Sequence, residues 1–235
     1  MNASIPNDPA SKFTMPPEAA AFLQSEAEAR EFSAPLGEAT GGRLEFMQGA
    51  SRITLRVDPA MPELFRARFT GPVPEVRVEN GAISVRYHLS FSSWLQLALP
   101  WSQASGELIL NGSIPWELEV HGGASDISGD LSQLQLRALD VGGGVSNLRL
   151  RLPRPSSVVP VEIQGGASNV VFHRPPGAAV RMEIDGGASE LDFDEHHLGA
   201  VGGSTRLASP GIEDRPHRYE LRIRGGASHI TVNTR

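Results

Sequence analysis

The stretch Val161-Glu162-Ile163-Gln164-Gly165-Gly166-Ala167-Ser168-Asn169-Val170-Val171-Phe172 decides how the rest of the chain is read. Val161 and Ile163 flank Glu162, and Val170 and Phe172 recur at a spacing of two beyond Ser168. Period two with β-branched and aromatic residues is the pattern of a strand with one face turned inward. Between the two runs sits Gly165-Gly166-Ala167-Ser168, which suits a tight corner, because residues with little or no side chain let backbones bend and approach. The local reading is therefore strand, corner, strand.

The same phrase recurs along the chain. Gly122-Gly123-Ala124-Ser125, Gly143-Gly144-Val145-Ser146, Gly186-Gly187-Ala188-Ser189, Gly202-Gly203-Ser204-Thr205 and Gly225-Gly226-Ala227-Ser228 repeat it, and Gly49-Ala50-Ser51 is an earlier relative. The hydroxyl residues fall at 125, 146, 168, 189, 205 and 228, mostly about 21 residues apart. A period of that length is the mark of stacked repeats. Apolar residues alternate before each corner (Leu118 and Val120, Met182 and Ile184, Leu221 and Ile223). They resume after it with a one-residue slip, as Ala124 and Ile127 are three apart. A slip at a fixed place in every repeat predicts a bulge there. The fold class expected is all-β: a single-domain β-solenoid of stacked repeats, running over 41–235.

The N-terminal region reads differently. Residues 1–13 have the composition of a disordered arm, and 14–40 read as a helix-containing cap and linker. Within it Glu18 to Phe32 is rich in Ala and Glu and is entered through Pro16-Pro17, which predicts a short helix. It would cover the first rung. No similar cap follows the last repeat, so the C-terminal end of the stack is expected to be bare, either an interface or blunted by Arg222, Arg224 and Arg235.

Composition removes many functions. The 235 residues contain no Cys, which excludes disulfide scaffolds, thiol catalysis and iron–sulfur ligation. A net charge of −6 argues against nucleic acid as a partner. No apolar run approaches the roughly 18 residues of a membrane span, and Met1 to Lys12 lacks the pattern of a secretion signal. A cytoplasmic location without an integral membrane segment is expected. No cofactor is implied.

The residues from Trp116 to Val232 resemble the C-terminal, toastrack domain of LiaF-type cell-wall stress response proteins. The likeness rests on the Gly-Gly-x-Ser corners and on Leu131-Ser132-Gln133-Leu134-Gln135-Leu136 leading into Gly142-Gly143-Gly144. Leu150-Arg151-Leu152-Pro153 and the terminal Arg218-Tyr219-Glu220-Leu221-Arg222-Ile223 add to it. Leu44 to Val57, and the stretch on to Trp101, are similar to the less regular region that precedes that domain. The resemblance implies a β-solenoid acting through protein contact in envelope-stress signalling. LiaF-type proteins carry N-terminal membrane helices and this sequence does not, so a stand-alone relative is expected.

Candidate sites follow from what the corners leave over. The glycines (Gly122, Gly123, Gly143, Gly144, Gly165, Gly166, Gly186, Gly187, Gly202, Gly203, Gly225 and Gly226) and the serines (Ser125, Ser146, Ser168, Ser189 and Ser228) read as structural corners. A phosphate loop would open a helix, often with a Lys, and these open strands. The spacing implies no His–acid pair for the serines, so no catalytic residue is assigned and an enzyme is not expected. The outward residues Asp126, Asn147, Asn169, Glu190, Arg206 and His229 are mixed in charge, without the facing acid pair that a carbohydrate-active enzyme needs. No metal site is expected either; Asp194 and His196 are its candidate donors, in the cluster Asp192 to His197. From Tyr87 to Gly106 the chain has no Asp, Glu, Lys or Arg. Phe91, Trp94, Leu97 and Trp101 in that segment are the candidates for binding a protein partner or another copy in a homo-oligomer. The function expected is a non-catalytic protein-interaction or regulatory module. The alternatives are a self-assembling scaffold stacked through its ends and a carbohydrate-binding or carbohydrate-active protein.

Overall fold

The computed structural model describes residues 29–87 and 105–234. Among them the chain forms nineteen strands and one 3-10 turn, Ile212–Asp214. The strands are β1 (Arg30–Pro35), β2 (Gly42–Phe46), β3 (Ala50–Asp58), β4 (Glu63–Thr70), β5 (Glu75–Glu79), β6 (Ala82–Arg86) and β7 (Ser105–Asn111). Next come β8 (Pro115–Val120), β9 (Ala124–Asp130), β10 (Gln135–Val141), β11 (Val145–Arg151), β12 (Val158–Ile163) and β13 (Ala167–Arg174). The last are β14 (Ala179–Ile184), β15 (Ala188–Phe193), β16 (His196–Val201), β17 (Thr205–Ala208), β18 (Arg218–Ile223) and β19 (Ala227–Thr234). The protein is all-β.

Two sheets result. The ten-stranded sheet runs β1-β4-β7-β3-β9-β11-β13-β19-β15-β16, and the nine-stranded sheet runs β17-β14-β18-β12-β10-β8-β2-β6-β5. Six strand–corner–strand units contribute one strand to each sheet: β2/β3, β8/β9, β10/β11, β12/β13, β18/β19 and β14/β15. Neighbouring units pair in parallel and in register, Ser51 with Ser125, Ser125 with Ser146, Ser146 with Ser168, and Ser168 with Ser228. The ladder continues through the corners, where Ala124, Val145, Ala167 and Ala227 donate backbone N–H bonds of 2.9–3.0 Å to Gly144, Gly166, Gly226 and Gly187. Inward side chains of both sheets meet in one core, in which Trp116, Phe65, Phe69, Phe172, Phe193 and Tyr219 are almost fully buried.

The one-residue slip has a backbone cause. The residue after each corner serine adopts a left-handed conformation: Arg52, Asp126, Asn147, Asn169, Glu190 and His229 have φ between 51° and 55°. Strand register skips each of them, so Ser146 faces Ser168 and the next partners are Leu148 and Val170. One extra residue per strand restores the inward phase, and Asn and Asp tolerate this conformation better than most side chains.

Three expectations are corrected. The last repeat is not a bare end: β18 lies between β12 and β14, and β19 between β13 and β15. A strand fitted between two edges satisfies both rows of its hydrogen-bonding groups, which an end position could not do. Second, Gly202-Gly203 does not open another parallel unit. Asp194 and Glu195 close a hairpin between β15 and β16, after which β16 and β17 run antiparallel to β15 and β14 and finish that end of the stack. Third, Arg30 to Phe32 belong to a strand, not to the end of a helix. β1 pairs antiparallel with β4, and Phe32 meets Phe69 edge-on at 5.9 Å. An open sheet edge and an aromatic contact outweigh helix propensity there. Residues 18–28 of the expected helix, and the arm 1–13, lie outside the described residues.

Candidate functional site

Stacking the corners in register makes a feature that no single corner has. Along the turn from β2/β3 to β12/β13 runs a groove of about 730 Å³. Gly123, Ala124, Ser125, Gly144, Val145, Ser146 and Gly166 line it, because small residues recur at the same height in successive units. Gln48, Ser51 and Arg52 come from the first unit, and Pro72, Val73 and Tyr87 from the neighbouring β4–β6 region. Val73 is 37% exposed, a large apolar side chain left beside the groove. The Tyr87 ring stands edge-on to Phe69 at 6.4 Å, and burial pushes its phenol above the ordinary tyrosine pKa.

The groove offers shape more than charge. Its hydroxyls bond along the stack, Ser125 Oγ donating to Ser51 Oγ at 2.9 Å; farther along, Ser228 Oγ donates to Ser168 Oγ at 3.2 Å. Beyond the serines, Asn147 Nδ2 donates to Asp126 Oδ1 at 2.9 Å and Asn169 Nδ2 to Asn147 Oδ1 at 2.7 Å. The side-chain amides extend the backbone ladder, so this polar stripe supports the stack.

The glycines of a corner differ in role. In four corners a Cβ on the first glycine would strike backbone of the adjoining unit: at Gly143 it would lie 2.7 Å from the Gly122 carbonyl carbon, at Gly165 2.7 Å from the Gly144 nitrogen, and at Gly186 and Gly225 2.6 Å from the nitrogens of Gly226 and Gly166, whereas at Gly122 the nearest atom, the Gly49 nitrogen, is 3.2 Å away. On the second glycine the nearest atom is 3.2–3.5 Å away at Gly123, Gly144, Gly166, Gly187 and Gly226. At Gly202 and Gly203, in the reversed corner, nothing lies within 4 Å. Gly122 sits at φ 129°, which itself favours glycine.

Asp194 and His196 both line a depression of about 520 Å³ at the β16 end. There the guanidinium of Arg174, only 5% exposed, bonds the Asp194 carboxylate and the Ala178 carbonyl. A fixed positive charge on Asp194 opposes a cation at that place. His197 turns instead to Asp192, with Nδ1 2.7 Å from Oδ1, and that hydrogen bond, reinforced by the Glu190 charge, raises the imidazole pKa. Phe91, Trp94, Leu97 and Trp101 lie outside the described residues. Sequence reasoning missed Pro72 and Val73, which lie in the link between β4 and β5 and match no repeat.

A family model described as the N-terminal domain of toast_rack, DUF2154, matches residues 23–173. The chain belongs to the toast_rack family. The match takes in β1 to β7 as well as the regular units through β13, so the less regular N-terminal strands are part of the toast_rack pattern. A crystal structure from Clostridium sporogenes, of a "putative cell adhesion protein", is similar with a TM-score of 0.70 at 17% identity, covering 89% of this chain and 100% of that one. At that identity the likeness speaks for the fold. Two structures named as putative adhesins, from Bacteroides fragilis and Parabacteroides merdae, each cover 88% of this chain and 96% of their own, at 8% and 7% identity. Their TM-scores of 0.31 and 0.24 are too low to carry an argument. No curated protein matches the chain. Among the described residues of this toast_rack chain, no helix is long and apolar enough to cross a membrane.

Proposed function

We propose that this toast_rack chain is a non-catalytic interaction module, a β-solenoid that presents its corner groove to a protein partner. The observation that supports this best is the groove of about 730 Å³, lined by small residues of successive units and by Pro72, Val73 and Tyr87. An exposed apolar surface rimmed by polar groups marks a site of interaction. Small side chains let a partner's backbone come close. The solenoid reading is supported by the shared order of the six units in both sheets.

The setting of that interaction belongs to the same proposal. Resemblance to LiaF-type proteins favours envelope-stress regulation, and the absence of a secretion-signal pattern at Met1 to Lys12 favours the cytoplasm, whereas the name of the Clostridium structure points to adhesion. Fractionation of the native cell separates the two, since an adhesive role requires the chain at the surface. The groove itself is tested by Ser146→Trp, which places an indole in the middle of its floor, with a photoreactive residue in place of Val73. Crosslinks to a discrete protein in the native cell should form without the Trp and disappear with it, while the thermal midpoint stays unchanged. Identical crosslinks from the Ser146→Trp variant would overturn the assignment of the groove.

A further inference from the structure

The exposed face of the nine-stranded sheet brings together three metal-ligating side chains from distant parts of the sequence. Glu45 on β2 and Glu119 on β8 are direct register partners. His121 follows Glu119 by two residues, and its backbone N–H donates to the Phe46 carbonyl at 2.8 Å, extending the same ladder. One ligand atom from each of the three lies within 4.8 Å of the other two. We propose that Glu45, Glu119 and His121 form a surface site for a divalent transition-metal ion of the Zn²⁺ type.

Donor chemistry and spacing both point this way. Zinc takes imidazole nitrogen and carboxylate oxygen at about 2.0–2.1 Å, which places tetrahedral donors about 3.4 Å apart. His121 Nε2 already stands 3.6 Å from Glu119 Oε2. The Glu45 ligand atom lies within 4.8 Å of both, so its carboxylate has at most about 1.4 Å to close to reach that donor spacing. One coordination position would remain for water. The imidazole separates this set from a site for Ca²⁺ or Mg²⁺, which are bound by oxygen ligands.

The surrounding charges permit the ion. Glu119 and Asp140 are register partners, as are Asp140 and Glu162, so four carboxylates line up across β2, β8, β10 and β12. Like charges directly opposite one another across paired strands destabilise a sheet, and a cation between them relieves this. Arg43 is the competing cation, with Nη1 3.8 Å from Glu45 Oε1 and Nε 3.6 Å from Glu119 Oε1. Its closest bond is elsewhere, to Glu117 Oε2 at 2.6 Å. Arg43 thus holds one oxygen of Glu119 while the other faces His121. Arg224, 3.5 Å from Glu162, acts farther along the row.

The test is calorimetric titration of ZnCl₂ into the tag-free full chain after EDTA treatment and dialysis. Saturable binding of one ion per chain is expected, weakened at least tenfold by His121→Ala and by Glu45→Gln, with unchanged circular dichroism in both variants. His197→Ala, which removes a second imidazole–carboxylate contact among the described residues, should leave binding as it is. In ¹⁵N spectra of the histidine rings, the signal lost in His121→Ala should be the one that shifts with zinc. Absence of saturable binding, retention of affinity in His121→Ala, loss in His197→Ala, or equal affinity for CaCl₂ would each overturn the site.

Discussion

The corner geometry makes a sharp prediction about two adjacent glycines. In Gly165→Ala the new Cβ would stand 2.7 Å from the Gly144 nitrogen, 2.8 Å from the Gly143 carbonyl carbon and 2.9 Å from the Gly144 Cα. All three are backbone atoms of the adjoining unit, so no side-chain rotation relieves the contact. Ordinary contact begins near 3.4 Å, so the two units must separate by roughly 0.7 Å, against a spacing of about 4.8 Å between paired strands. The corner bond from Gly165 N to Gly143 O (3.0 Å) lies across that movement, and the bond from Gly225 N to Gly165 O (3.2 Å) ties the displaced corner to the unit on its other side. Overpacking costs typically about 1–3 kcal/mol, and rigid backbone on the far side puts Gly165→Ala near the top of that range. For Gly166→Ala the nearest atom is the Gly226 oxygen at 3.2 Å, which asks for a shift of a few tenths of an ångström, and the expected cost is about 1 kcal/mol or less. Gly202→Ala meets nothing within 4 Å, and lower unfolded-state entropy should leave it neutral or stabilised by about 0.4–1 kcal/mol. Equilibrium urea unfolding followed by far-ultraviolet circular dichroism measures all three. At about 2–4 °C per kcal/mol for a chain of this size, Gly165→Ala should melt roughly 6–12 °C below the parent. A Gly165→Ala protein within 0.5 kcal/mol of the parent, or a Gly202→Ala protein as damaged as Gly165→Ala, would refute the reasoning.

Other positions carry their own expectations. Asn111 is fully buried, and its amide donates 2.8 Å bonds to the Met61 and Glu63 carbonyls while its oxygen accepts from the Ser113 N–H at 2.9 Å. Asn111→Leu strands those groups and should cost about 2–4 kcal/mol in urea unfolding; a neutral result would mean that the bonds carry no net stability. Tyr219 is buried, its hydroxyl donates to the Pro153 carbonyl at 2.8 Å, and burial holds its phenol well above the usual tyrosine range. The unfolded chain ionises this group near pH 10 while the folded chain keeps it neutral, so its contribution is complete below about pH 10 and is lost as pH rises further. Tyr219→Phe should cost about 1 kcal/mol at neutral pH and reduce the alkaline loss of stability, and an unchanged alkaline melting profile would contradict this. Glu190 holds φ 52° with a side chain poorly suited to it. Glu190→Gly should therefore stabilise by up to about 1 kcal/mol, and a lower melting temperature would show that its side-chain contacts outweigh the backbone strain.

The repeat itself was legible because it is local. A strand turned inward on one face writes period two into its residues, and a corner closed by small residues writes Gly-Gly-Ala-Ser. The slip between Ala124 and Ile127 announced a bulge, and the left-handed Asp126 is its physical form. Gly165 and Gly166 look interchangeable in one dimension, since only the neighbouring unit's backbone separates their roles. Glu45 and Glu119 were invisible as a pair, because register across 74 positions is not written in either segment. Pro72 and Val73 carried no signal beyond an ordinary link between strands, and Arg30 to Phe32 carried the wrong one. Asp194 drew attention through its acidic and imidazole neighbours, and its partner Arg174 lies at the end of a different strand.

By itself the sequence determined the type of structure: all-β, built from repeated strand–corner–strand units, without cysteine chemistry. These properties depend on side-chain volume, alternation and backbone freedom within about twenty residues, all present in the chain before it folds. The order of the units was decided only in three dimensions. The Asp194–Glu195 hairpin turns β16 and β17 back along the outer edges of β15 and β14. The inner edges of that unit and of β12/β13 are then joined by β18 and β19. Hydrogen-bonding groups on an edge have no preference for sequence neighbours; they pair with whatever strand arrives in register. The groove and the Glu45, Glu119 and His121 cluster are products of that same stacking.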